Sequence, residues 1–264
     1  MARSAPRILA RGAAAALAAA ALAAGCANSK ERAFGPAEWV EENRGVFGQL
    51  RSFDERERKA GVERFKRLGP EEGSAVALYV LTDPKVDDYR LELQLACILA
   101  EWQDRRAIPF LLQALEQPDD GAVRIAADAI FENFADNPRV IEHLAEMLAR
   151  ESTRDRLTAA ALLAKIGSQQ AAGLLGKRMR AELDPEVRAQ LVIGIERSRH
   201  PARLEHLIDA LLDSDPAIRE LAWNAVKRTP GLPRVDYAPD GRDVERAQAV
   251  GELRLWLRSR SERR

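Results

Sequence analysis

The chain has 264 residues, with 41 Lys and Arg against 41 Asp and Glu, 46% hydrophobic residues, 5% aromatic residues and two cysteines. This length and apolar share exclude a disordered chain and permit a substantial buried core. Zero net charge removes the bulk electrostatic case for nucleic-acid binding, and two cysteines exclude a disulfide framework or a multi-cysteine zinc site.

The first element is an N-terminal leader. Arg3, Arg7 and Arg11 precede an apolar run of Ala and Leu from Ala13 to Ala24, followed by Gly25 and Cys26. The run is too short to span a hydrocarbon core, which takes ~20 residues, but the order of basic, apolar and small residues is that of an export signal. Leu22-Ala23-Ala24-Gly25-Cys26 resembles the lipobox of bacterial lipoproteins, with Ala23 where that family usually has Leu and Leu22 one place early. The resemblance implies a signal peptide at 1–25 and a lipidated Cys26 at the mature N-terminus, tethering the protein to a membrane and facing it toward the periplasm. The alternative is an ordinary signal cut after Ala21-Leu22-Ala23, which releases a soluble periplasmic protein. Without residues 1–25 the balance becomes 38 Lys and Arg, since 41 − 3 = 38, against 41 acids, a net of −3. Cys97 then stands in an apolar helical stretch as a small buried hydrophobe.

Residues 26–44 carry Asn28, Ser29, Lys30 and Gly35-Pro36, the composition of a linker between anchor and body. From 45 to 231 the pattern is helical, with apolar residues at spacings of three and four and Gly and Pro between the runs. Arg124, Arg156, Arg188 and Arg219 mark a repeat with a period of about 32 residues, and the same slot one period earlier is Glu92. Three places on stand Leu95, Ala127, Ala159, Leu191 and Ala222, and seven places on stand Leu99, Phe131, Leu163, Ile195 and Val226. These offsets share one helical face. A weaker copy is centred on Arg58. A second set of the same period, Val80, Leu112, Leu144, Leu175 and Leu207, makes each unit a helix pair. One pair cannot bury its apolar face, whereas stacked pairs share a continuous core.

Asp184-Pro185-Glu186-Val187-Arg188 and Asp215-Pro216-Ala217-Ile218-Arg219 predict helix starts with a capping Asp and a Pro at the first helical position. Asp119-Asp120-Gly121-Ala122-Val123-Arg124 is a looser version. The recurring D-P-x-V-R pattern resembles the bacterial HEAT-like repeats over about residues 54–231. The resemblance implies an all-α solenoid of stacked helix pairs, with Arg124, Arg156, Arg188, Arg219, Asp184 and Asp215 in a structural ladder between repeats. Residues 232–264 follow as a loop and a capping helix. Val235 to Pro239 and Trp256 are similar to a tail seen on exported bacterial HEAT proteins.

The chemistry-bearing residues are sparse. His143 and His206 occupy equivalent Glu-His-Leu slots two repeats apart, His200 precedes Pro201, and none has metal-ligand spacing. Asp236 to Gly241 matches half of a calcium loop, with Ala238 and Ala247 where oxygen ligands belong. Phosphate loops, nucleotide fingerprints and the G-x-S-x-G elbow are absent from the sequence. Residues 242–264 hold seven Arg against four acids, a net of +3, which suits a solvated cap helix or contact with an anionic surface. The expectation is a membrane-anchored scaffold that binds an unidentified protein in its groove at the cell envelope, with no catalysis, no cofactor, no metal and no nucleic acid. The alternatives are an accessory subunit of a lyase-like enzyme and an envelope spacer without a specific partner.

Overall fold

The computed structural model describes residues 35–198 and 202–261. The predicted signal peptide, the lipidation residue Cys26 and His200 lie outside these residues. The described residues form α-helices and one 3-10 turn at Arg105–Ala107, with no strand among them. The chain divides into two compact units, Met1–Phe134 and Ala135–Arg264, with the boundary inside the span 45–231.

The first unit contains α1 (Pro36–Glu42), α2 (Arg44–Leu50), α3 (Glu55–Lys66), α4 (Gly69–Thr82), α5 (Tyr89–Glu101), α6 (Ile108–Ala114) and α7 (Asp120–Phe134). The second contains α8 (Pro138–Ala149), α9 (Thr153–Ile166), α10 (Gln169–Met179), α11 (Pro185–Arg197), α12 (Arg203–Ala210), α13 (Pro216–Val226) and α14 (Asp243–Ser261). Consecutive helices pair, and the pairs stack. In the first unit α5 lies against α3, α7 and the intervening α4 and α6. In the second, α9, α11 and α13 form one row, α8, α10 and α12 a second, and α14 packs on α12. This is the arrangement of an α-solenoid with a terminal capping helix. Leu253, Val250 and Ala249 are the buried face of that last helix.

Most of the pairs begin at a side-chain cap. Asp54, Asp88, Ser152, Asp184 and Asp215 each accept backbone N–H groups two or three residues on, at α3, α5, α9, α11 and α13. These caps satisfy donors that a helix start would otherwise orphan, each worth about 1 kcal/mol. Tight packing between successive first helices requires glycine in places. A Cβ on Gly61 would meet Gln49 Cβ at 2.8 Å and the Leu50 backbone nitrogen at 2.9 Å, so α3 approaches α2 to backbone distance.

Two sequence expectations are corrected. Residues 36–44 are not spacer: Pro36 opens α1, and Trp39 sets its ring edge-on to Phe47 at 5.8 Å and Phe65 at 5.7 Å. Phe65 in turn stacks on Trp102 at 6.2 Å. Such an aromatic cluster contributes about 0.5–1.5 kcal/mol per ring pair beyond the area buried, enough to hold α1 on the body.

The second correction concerns register. In α6 and α7, Leu111, Ala126 and Ile130 are buried, each one place before the predicted Leu112, Ala127 and Phe131, which are only half-buried. In α7 the shift goes with the cap: Asp119, rather than Asp120, accepts the amides of Gly121 and Ala122, so the helix starts one residue early, and one residue of register turns its face by about 100°.

Candidate functional site

The predicted ladder residues resolve into a repeated clamp. An Arg four places after the cap folds its guanidinium back onto carbonyls of the turn that precedes its own helix. Arg58 Nη1 donates to the carbonyls of Ser52 (2.8 Å) and Phe53 (3.3 Å). Arg156 Nη1 donates to Arg150 (3.2 Å) and Glu151 (2.7 Å), and Arg219 Nη1 to Asp213 (2.7 Å) and Ser214 (2.9 Å). Arg188 Nη1 donates to Leu183 at 2.6 Å. A cation near a helix N-terminus opposes the helix dipole, and the captured carbonyls offset that cost. Arg124 stands five places after its cap and is exposed, because the early start of α7 carries it off this position.

The remaining nitrogens reach the next repeat. Arg156 grips Glu182 in a fork, Nε to Oε2 at 2.9 Å and Nη2 to Oε1 at 3.2 Å. Arg178 Nε shares Oε2 at 2.9 Å, and the amides of Leu183 and Asp184 donate to Oε1 at 3.0 and 2.9 Å. The Glu182 side chain is 1% exposed. Burial by itself pushes its carboxyl up, but the Asp184 amide, Arg178 and Arg156 together outweigh this and bring it down to about 2. Arg188 Nε lies 2.9 Å from Asp213 Oδ2, an ion pair whose N–H is not aligned for a hydrogen bond. Arg219 Nε donates to the Pro239 carbonyl, so the loop after the last repeat supplies the contact another repeat would have made. The same loop sends the Tyr237 hydroxyl to the Leu211 carbonyl at 2.6 Å. Asp184 and Asp215 cap their helices, and Asp184 Oδ2 also accepts from Thr153 of the previous pair at 3.3 Å.

The acids of this network were not singled out in the sequence, although a signal exists. Glu182 and Asp213 each stand two residues before a capping Asp, in E-L-D-P and D-S-D-P. In the first unit the corresponding residue before Asp119 is Gln117, which carries no charge.

The other predicted candidates remain apart. His206 covers Gly176 so closely that a Cβ there would collide with its ring, and His143 is half-buried on α8. Asp236, Glu245 and Glu252 line a polar hollow of about 330 Å³. No group of three or more His, Cys, Asp or Glu that could hold a metal occurs among the described residues. Burial pushes the Cys97 thiol up to about 12, with Glu101 and Glu132 adding to the effect.

The first unit has a further feature that the sequence did not reveal. At the N-terminal ends of α3, α5 and α7 lies an apolar groove of about 140 Å³, lined by Arg58, Tyr89, Arg90, Leu93, Ala122 and Ile125 among others. Beside it Phe53 is 81% exposed, and the Arg90 guanidinium lies 4.0 Å from the centre of its ring. Arg90 Nε also donates to the Tyr89 hydroxyl at 3.1 Å, and that hydroxyl donates to Asp119 Oδ2 at 2.9 Å. Tyr89, then the Gly121 and Ala122 amides, hold the Asp119 carboxyl below the usual range. The groove is therefore walled by the Tyr89 ring, held through its hydroxyl, and carries the Arg58 and Arg90 guanidiniums, with Arg90 Nη2 3.9 Å from Asp119 Oδ2.

The arrangement defines an all-helical repeat protein whose inter-repeat arginines are engaged within the fold, with an apolar groove left open at one set of helix ends. No family model and no curated protein matches this sequence. Among solved structures it is similar to an engineered protein, at 18% identity and a TM-score of 0.37, covering 69% of this chain and 94% of that one. It is also similar to human deoxyhypusine hydroxylase in complex with glycerol, at 18% identity and a TM-score of 0.31, covering 84% of this chain and 99% of that one.

Proposed function

We propose that this chain is a lipid-anchored helical-repeat scaffold that binds a protein partner at the bacterial cell envelope and performs no catalysis of its own. The observation that supports the scaffold reading is the stacking of helix pairs in a solenoid, an architecture whose extended surfaces serve binding, with an apolar groove of about 140 Å³ left open at the starts of α3, α5 and α7. The anchor rests on the order of residues from Arg3 to Cys26. Two or three acyl chains on Cys26 hold a protein to a membrane durably, at ~0.8 kcal/mol for each buried methylene. At the other end Leu255, 67% exposed between Arg254 and Arg258, gives the Arg-rich helix a contact for anionic headgroups.

In vivo photocrosslinking from Phe53, Ile125, Leu183 and Leu255 tests the scaffold. One dominant protein adduct supports it, a diffuse pattern supports the spacer instead, and a bound small molecule points to an accessory role in an enzyme. The Cys26→Ser protein should leave the membrane fraction after a carbonate wash; its retention there refutes the tether.

A further inference from the structure

We propose that the edge of the second unit where α11, α13 and α14 end is a docking surface for anionic phospholipid headgroups. The proposal rests on the membrane-anchor reading above and extends the headgroup contact beyond α14. Three contacts assemble the edge. Arg228, just past α13, pairs with Glu196 in the last turn of α11. Arg203, at the start of α12, donates to the Glu196 carbonyl at 2.9 Å. Arg260, in the last turn of α14, donates to the Pro230 carbonyl at 2.9 Å, which brings the end of that helix to the turn that follows α13. Arg197, Lys227 and Arg258 complete the set, and all three are exposed.

Charge decides what the edge attracts. Its cations are Arg197, Arg203, Lys227, Arg228, Arg258 and Arg260 and its acids Glu196 and Glu205, a net of 6 − 2 = +4. Three helix ends subtract about 1.5 charges and the start of α12 returns about 0.5, which leaves about +3. The surplus is therefore larger than the helix dipoles cancel. Glu252, the next acid on α14, lies about 9 Å back along the helix from Arg258. What the edge lacks decides the class of partner. None of the large apolar side chains exposed among the described residues stands at these positions, so a protein partner would find no apolar anchor of the kind that dominates protein interfaces. Long side chains on four separate segments instead present point charges to a flat field of phosphates, where each Lys or Arg adds to the attraction without a fixed register. With acyl chains on Cys26 in the same membrane, the two contacts reinforce each other through effective concentration.

Co-sedimentation of the processed chain, residues 26–264 with Cys26→Ser and so without leader or acyl group, tests the surface against phosphatidylcholine vesicles with and without phosphatidylglycerol. Phosphatidylglycerol vesicles are expected to bind it and pure phosphatidylcholine vesicles not, with binding lost as salt rises. The triple variant Arg197→Gln, Arg228→Gln, Arg258→Gln should bind about tenfold more weakly or worse. Arg51→Gln, Arg56→Gln, Arg67→Gln removes the same charge from the first unit and should bind as its parent does. All six positions are exposed, and an unchanged circular dichroism spectrum verifies that both variants fold. Equal binding to neutral vesicles, undiminished binding by the first triple variant, or an equal loss in the second overturns the proposal. Binding to polyglutamate with none to the vesicles also overturns it and assigns the edge to an acidic protein. If the vesicles fail while the full Cys26→Ser protein leaves the membrane fraction in carbonate, the surface is refuted and the tether stands. If that protein is retained in carbonate, which strips a charge-based contact, the tether is refuted and the vesicle result decides the surface by itself.

Discussion

Glu182→Gln removes the charge at the centre of the ladder while keeping the side chain's shape. The carboxyl is held at about 2 against an ordinary value of 4.5. At about 1.4 kcal/mol per pKa unit this corresponds to about 3 kcal/mol of stability at neutral pH. The cost of breaking one partner out of a buried ion pair, about 3–5 kcal/mol, is of the same size. Because the folded pKa lies below the unfolded one, the stabilisation is complete above about pH 4.5 and disappears as the pH falls through about 2. The wild-type chain should therefore exceed the variant by about 3 kcal/mol at pH 7, and the gap should shrink by most of that near pH 2. Urea unfolding followed by circular dichroism across this range measures it, with hydrogen exchange over 153–197 locating the effect. A gap that is the same at both ends of the range, or that is negligible at pH 7, would refute the reasoning.

Further outcomes follow from the packing, the clamps and the buried thiol. Gly194→Ala places a Cβ 2.6 Å from Leu175 Cδ1 and 2.8 Å from Ala164 Cβ, and should cost about 1–3 kcal/mol by calorimetry. Gly251→Ala meets nothing within 4 Å on α14 and should gain about 1 kcal/mol in the same assay. Arg219→Ala frees the carbonyls of Asp213, Ser214 and Pro239 and should cost about 3 kcal/mol or more in a urea titration. Arg124→Ala, at an exposed position, should stay within about 0.5 kcal/mol, and an equal loss at both positions would contradict the clamp. Cys97, pushed up to about 12, should resist a thiol-specific disulfide reagent at pH 8 in the folded chain and react at once in urea.

The sequence by itself determined the all-helical class, the pairing of helices and most of the repeat register. Those features are local: a capping Asp followed by Pro starts a helix at Asp184 and Asp215, although at Asp83-Pro84 the same pair makes only a turn and Asp88 caps the helix that follows, and a 3.6-residue period marks one buried face. Where the local signal was doubled, tertiary contacts decided. Asp119 and Asp120 are both able to cap α7, and the sequence offers no means to choose. Asp119 is the cap in a structure where the Tyr89 hydroxyl, thirty residues earlier, also holds its second oxygen. That choice turns α7 by one residue, buries Ile130 in place of Phe131 and leaves Arg124 in water. The groove has the same origin, since Arg58, Arg90 and Ile125 lie far apart in the chain and line one hollow only when α3, α5 and α7 are set side by side. Periodicity reports which face a helix buries, but the neighbours that face meets, and the hollows left between helix ends, exist only after the pairs have stacked.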